Sequence, residues 1–246
     1  MARAMGLAPY DARLKLAVPP PVVVASGLSL EPAQELLGVL RQRGHGAVAC
    51  DAGGVPVRES ALIVRGFTPG AHALDGIDDH KRAFSLPYAQ ILGIVRAVEL
   101  SSETQTVETT EKKLAIGRAL LSGGVMLNKS VTKVATTDSA TRQQVAYVFR
   151  SSDKEPVLLE EHRMSYEGLG AQRASSTHKS FDALIGLLRR SAPGAMYDDR
   201  LVTHKRRADL TGVRGLTKDR TSSSSNAPAN MLAAYLLMLA HLQEQL

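Results

Sequence analysis

The chain has no tryptophan and a single cysteine. One thiol, Cys50, cannot form an internal disulfide, which suits a reducing compartment. Aromatics make up only 4% of residues, so stacking platforms for single-stranded nucleic acid are scarce and aliphatic side chains must build the core. No stretch approaches the ~20 apolar residues that span a bilayer. The first ten residues carry Arg3 without an apolar run of secretory length. The expected location is the cytoplasm, with no transmembrane span. Gly-Lys-Ser/Thr and GxGxxG are both missing, and no cofactor is expected.

What is present is an apolar fraction of 44% in 246 residues, enough for a real core. The formal net charge of +6 has one main source. Arg200, Lys205, Arg206, Arg207, Arg214, Lys218 and Arg220 face only Asp209 and Asp219 across 200–220, a local balance of +5. Attraction to an acidic surface, lipid or nucleic acid, is therefore a property of that segment. A solvated basic linker is the plainer reading.

Periodicity predicts an α+β protein. Tyr10–Val18 alternates polar and apolar like a strand, Pro19-Pro20-Pro21 interrupts, and Val22-Val23-Val24 resumes. Ser29 and Glu31 open a helix with Ala33, Leu36, Leu37 and Leu40 on one face, which Gly44 closes. Strands at Ala47–Cys50 and Ala61–Phe67 complete a β-α-β-β unit over residues 1–70. Thr68–Arg82 reads as loop. This order resembles ferredoxin-like and SPOR-like modules, which implies binding of peptides, glycans or partner proteins.

Residues 71–195 read as a β-rich unit. Phe84-Ser85-Leu86-Pro87-Tyr88 leads into Ile91, Leu92, Ile94 and Val95, and further strands follow at Val95–Thr110, Val125–Thr136, Gln144–Arg150 and Pro156–Glu161. A helix from Thr177 carries Phe181, Leu184, Ile185, Leu187 and Leu188. The hydrophobic-Pro-Tyr-x-x-Ile element and the order of strands closed by one helix are similar to bacterial PH-like and GRAM-like barrels. Residues 196–246 hold the basic linker, a Ser-rich stretch and a terminal helix that is apolar nearly all round and so must dock.

One feature stands out in the β-rich unit. Glu99, Glu103, Glu108 and Glu111 lie on one Thr-rich arm, and Lys129, Lys133 and Arg142 on another with only Asp138 among them. Opposite charges across two strands predict a long hairpin. Its tip, with Leu114, Ile116, Leu120, Leu121, Val125, Met126 and Leu127, is apolar and needs a surface to pack on. With Leu236, Leu239 and Leu242 of the terminal helix, these are the candidate partner contacts.

Catalytic constellations are thin. His72, Asp78, Asp79 and His80 have metal-ligand chemistry but read as a polar loop. Cys50 reads as a small buried hydrophobe beside His45, without a third partner. Glu160 and Glu161 are strand neighbours that point to opposite faces. No catalytic residue or metal site is assigned. The expected function is a non-enzymatic binding or scaffolding protein that engages a protein partner or itself. Peripheral binding to anionic lipid or nucleic acid through 200–220 is one alternative, and an enzyme with a site scattered in sequence is another.

Overall fold

The computed structural model describes residues 5–17, 21–114, 128–203 and 223–246, with backbone alone for 101–114, 128–141 and 223–225. Two helices lead. α1 (Pro9–Leu16) places Pro9 at its start, where no donor is needed, and Asp11, Arg13 and Lys15 where they complement the helix dipole. The strand expected over Tyr10–Val18 is therefore a helix; eight residues hold too little periodicity to separate the two. α2 (Leu30–Arg41) buries Leu36 and Leu40 against Met5 and Ala12. The expected strands at Val22–Val24 and Ala47–Cys50 do not form, because neither finds an edge to pair with. Cys50 is exposed rather than buried.

β1 (Leu62–Pro69), β2 (Ala73–Asp78) and β3 (Ala83–Pro87) form an antiparallel meander. β2 lies where a loop was expected. Its Gly76 is required by close approach: a Cβ there would sit 2.4 Å from the Gly66 carbonyl oxygen and 2.8 Å from the Phe84 ring. β4 (Ile91–Leu114), β5 (Asn128–Arg150), β6 (Val157–Glu160), α3 (Thr177–Ser191), β7 (Met196–Asp199), α4 (Arg200–Thr203), β8 (Ser223–Ser225) and α5 (Ala227–Leu242) follow. The sheet order is β3-β2-β1-β6-β5-β4-β7, with β8 also on β4. The β1–β6 and β4–β7 pairs are parallel, the other described registers antiparallel. The protein is thus α+β on a mixed sheet. Because β1 joins β6, a boundary at residue 70 would cut through that sheet.

Contacts divide the chain into two units. The first comprises Met1–Glu99, Arg142–Asp219 and Asn226–Leu246, the second Leu100–Thr141 and Arg220–Ser225. In the first unit, strand alternation sorts side chains to two faces. Ala146, Val148, Val157 and Leu159 pack with Phe181, Leu184, Ile185 and Leu188 of α3. Val145, Tyr147, Phe149 and Leu158 pack with Met231, Ala234, Leu237 and Met238 of α5. On its other side α5 buries Leu232 and Ala233 against Val23, Val55 and Leu201. Burial on two sides explains a helix that is apolar nearly all round. Its start is tied down by Asn226 and Asn230, whose Nδ2 groups donate to the Val98 carbonyl at 3.0 and 2.9 Å.

The second unit consists of the continuations of β4 and β5 with β8. Ser225, Ser224 and Ser223 pair antiparallel with Ser101, Ser102 and Glu103.

Candidate functional site

In the first unit, the apolar pattern of β4 and β5 gives way to polar residues at Arg96–Glu99 and Arg142–Gln144, and a charge network forms on each sheet face. On the α5 face, Glu99 and Glu160 are almost completely buried. One guanidinium bridges them: Arg58 donates to Glu99 Oε1 at 2.9 Å and to Glu160 Oε1. The Tyr147 hydroxyl donates to Glu99 Oε1 at 3.0 Å, and Gln143 Nε2 to Glu99 Oε2 at 3.3 Å. Arg163 lies 3.5 Å from Glu160 Oε2. Burial, then the adjacent Glu99 carboxylate, pushes the Tyr147 hydroxyl well above its ordinary pKa. It stays a donor. Glu99, expected to face the basic arm, is instead engaged here.

The α3 face carries the second network. Arg96 donates to Gln144 Oε1 and to Asp182 Oδ1 at 2.6 Å, with its guanidinium 5.6 Å from the centre of the Phe181 ring. Burial works against this charge, but Tyr197 and Asp182 outweigh it and hold its pKa above the ordinary value. Glu161 Oε2 accepts from the Gln144 backbone N–H at 2.8 Å, and Glu161 Oε1 lies 3.3 Å from His178 Nδ1. Glu160, the last residue of β6, and Glu161, in the turn that follows, serve opposite faces. Arg58 and Arg96 had no local signature in the sequence: each finds its carboxylates through the fold.

The residues expected to bind acidic surfaces fall mostly outside the described residues: Lys205, Arg206, Arg207, Arg214, Lys218 and Arg220 all do. Arg200 is described, and it is committed to Asp198 through its backbone N–H and Nε, both at 2.8 Å. Of the hairpin-tip candidates, Ile116, Leu120, Leu121, Val125, Met126 and Leu127 also lie outside the described residues, and Leu114 is described by its backbone alone. In α5, Leu236 and Leu239 are half-buried against their own chain, and Leu242 is 51% exposed. The terminal helix is docked intramolecularly.

Asp78, Asp79 and His80 bring ligand-type atoms within 4.8 Å of one another. Asp78 is already occupied, though. Its Oδ1 accepts from the backbone N–H groups of His80 and Arg82 at 2.9 and 2.8 Å, and its Oδ2 from Arg82 Nε at 2.7 Å. These bonds close the β2–β3 turn, in which Lys81 takes a φ of 61°. Cys50 is a poor nucleophile: partial desolvation and the neighbouring Asp51 carboxylate push its thiol up, opposite to what a reactive thiolate needs. His72 stands instead with Tyr88, Ser191 and His241 around an open depression of ≈ 560 Å³. The rest of its lining is small or aliphatic.

The remaining candidate surface is the second unit. β4 continues from Leu100 to Leu114 and β5 begins at Asn128, both as strand. β4 neighbours β5 in the sheet, and β8 pairs with β4 at Ser101–Glu103. No family model, curated protein or solved structure matches the chain.

Proposed function

We propose that this chain is a non-enzymatic binding or scaffolding protein that engages a protein partner through the β4–β5 ribbon. The observation supporting this most directly is that β4 and β5, neighbours in the sheet, both continue as strand through the second unit. At ~3.3 Å per residue, Leu100–Leu114 reaches about 50 Å. Two-stranded ribbons are marginal by themselves. In sequence this one is rich in Thr, Ser and charge at successive positions of both strands, which face opposite sides, so it lacks an apolar face to bury. Strand edges carry the N–H and C=O groups through which a sheet adds a strand from another protein. The charge networks point the same way, since their carboxylates are engaged in holding elements together.

The test replaces residues 104–138 with an Asn-Gly turn and compares cross-linked partners of both forms in the native cell. The expected result is a partner cross-linked to the ribbon, lost in the shortened form while the rest keeps its circular dichroism and melting temperature. A partner retained by the shortened form overturns the reading. So does steeply salt-dependent binding to anionic vesicles with no protein partner, which would favour the basic segment.

A further inference from the structure

α1 and α2 have a small core of their own. Its buried members are Met5, Ala12, Leu36 and Leu40, and none of the four belongs to either sheet core. Helices of 8 and 12 residues around so few buried side chains are too short, and their core too small, to fold alone. Their order depends on what they dock against. One attachment is apolar: Val23, from the connection between the two helices, packs with Val55 on Leu232 and Ala233 of α5.

The second attachment is the turn that follows α5. The Glu244 N–H donates to the His241 carbonyl at 3.0 Å and the Gln245 N–H to the Ala240 carbonyl at 2.8 Å. Glu244 takes a φ of 53°, the left-handed conformation that favours glycine at this position. The turn aims the tail at the end of α2. Gln243 Oε1 accepts from Arg41 Nη2 at 2.8 Å, and the Gln245 carbonyl oxygen lies 2.0 Å from where a Cβ on Gly46 would sit. Only a residue without a side chain at position 46 admits the tail. Arg41 also donates through Nε and Nη2 to the Ala47 carbonyl at 2.9 and 2.7 Å. One guanidinium therefore ties the last turn of α2, the segment after it and the tail together. These hydrogen bonds are exposed, so water competes for them and each adds little.

We propose that Gln243–Gln245 is a clasp that holds the segment carrying α1 and α2 against α5, and that this segment opens as a unit while the sheet and its two cores stay folded. Segments held by few buried side chains and by exposed hydrogen bonds are where a fold opens first. Opening lifts Val23 and Val55 from Leu232 and Ala233, which uncovers an apolar strip on α5. The opposite side of α5 stays buried on the sheet through Met231, Ala234, Leu237 and Met238. The inference is independent of partner binding by the ribbon.

The experiment is native-state hydrogen exchange on the full chain. The amides of Leu36–Arg41 in α2 are expected to be at least about 100-fold less protected than those of Tyr147 and Leu158 in the sheet. Gln243→Ala removes the tail's side-chain bond to Arg41 and should speed exchange in α2 by roughly threefold to tenfold. Gly46→Ala displaces the Gln245 carbonyl and should speed it by more than about tenfold. Both variants leave Tyr147 and Leu158 unchanged, which also shows that they fold. Arg43→Ala, at an exposed neighbour of the clasp, leaves α2 unchanged. Protection of α2 equal to that of the sheet overturns the proposal, since the segment then opens only with the whole fold. Unchanged α2 exchange in both clasp variants overturns it too, as does an Arg43→Ala effect as large as that of Gln243→Ala.

Discussion

Replacing Arg58 with methionine tests the α5-face network most severely. The change keeps the apolar stem and removes the one cation that touches both Glu99 and Glu160. Breaking a buried ion pair from one side costs about 3–5 kcal/mol, because the remaining charge stays in a poorly solvated place. Two features set the expectation at the lower end. The Arg58 side chain is 24% exposed, so water enters when it leaves, and Arg163 remains 3.5 Å from Glu160. Arg58→Met should therefore destabilise by about 3 kcal/mol at neutral pH, or roughly 6–12 °C in Tm for a chain of this size. Urea unfolding followed by circular dichroism gives the number directly, and an unchanged m-value shows that the folded and unfolded surfaces are comparable. Adding Glu160→Gln should recover more than about 1 kcal/mol, since the partners are coupled. A loss below about 1 kcal/mol at constant m, or a double variant no better than the single, would show that Arg58 does not hold these carboxylates.

Other outcomes follow from single features. Leu237→Ala, at a position 1% exposed in α5, should cost about 3 kcal/mol, whereas Leu242→Ala, 51% exposed, should cost under about 0.5 kcal/mol; equal losses in urea melts would refute the docked orientation of α5. Lys81→Gly should stabilise by up to about 1 kcal/mol by relieving a left-handed φ, and a lower Tm would contradict this. Gly168→Ala should destabilise by at least about 1–3 kcal/mol, because its Cβ would meet the Phe67 carbonyl oxygen at 1.9 Å. Burial raises the hydroxyl pKa of Tyr147, Tyr166, Tyr88 and Tyr235, so the unfolded chain ionises first. Their contribution is complete below pH 10 and lost as pH rises above it, and urea melts across that range should show falling stability that Tyr147→Phe makes shallower.

The core helix α3 was legible because its apolar positions repeat with helical period, and α5 because it is apolar nearly all round. Phe181, Leu184, Ile185 and Leu188 all reach the core, and the terminal helix docks as its composition demands. Strands of β-branched residues were legible only where a partner edge exists. Val22–Val24 look as strand-like as Ile63–Val64, yet only the latter lie on a strand, β1, that pairs with β2 and β6. Pairing of residues nearly a hundred positions apart leaves no local trace. β2 was hidden by Asp75, Gly76 and Asp78, which read as turn chemistry. In the fold Gly76 makes room for the Phe84 ring, and Asp78 closes the hairpin. The charge networks were illegible for the same reason, since Arg58 and Glu160 are 102 residues apart and Arg96 and Asp182 are 86 apart.

The position of those networks along β4 and β5 explains how both strands can leave their apolar cores without losing register. Up to Val95 and from Val145 to Phe149, both strands alternate between two apolar cores. At Arg96, Glu99, Gln143 and Gln144 the same alternation turns polar on both faces at once: the α5 face closes with hydrogen bonds to the buried Glu99, and the α3 face with partly exposed ones to Asp182 and Glu161. A buried ion pair adds little net stability over an apolar substitute of the same volume, but it penalises any register that separates the partners. A one-residue slip of β4 against β5 would turn Glu99 away from Tyr147 and Gln143, and a slip is what a ribbon polar on both faces would otherwise permit. Core packing alone would be satisfied if the strands ended at those residues. Both strands nevertheless continue in polar sequence, with Glu99 held at their root by Tyr147 and Gln143.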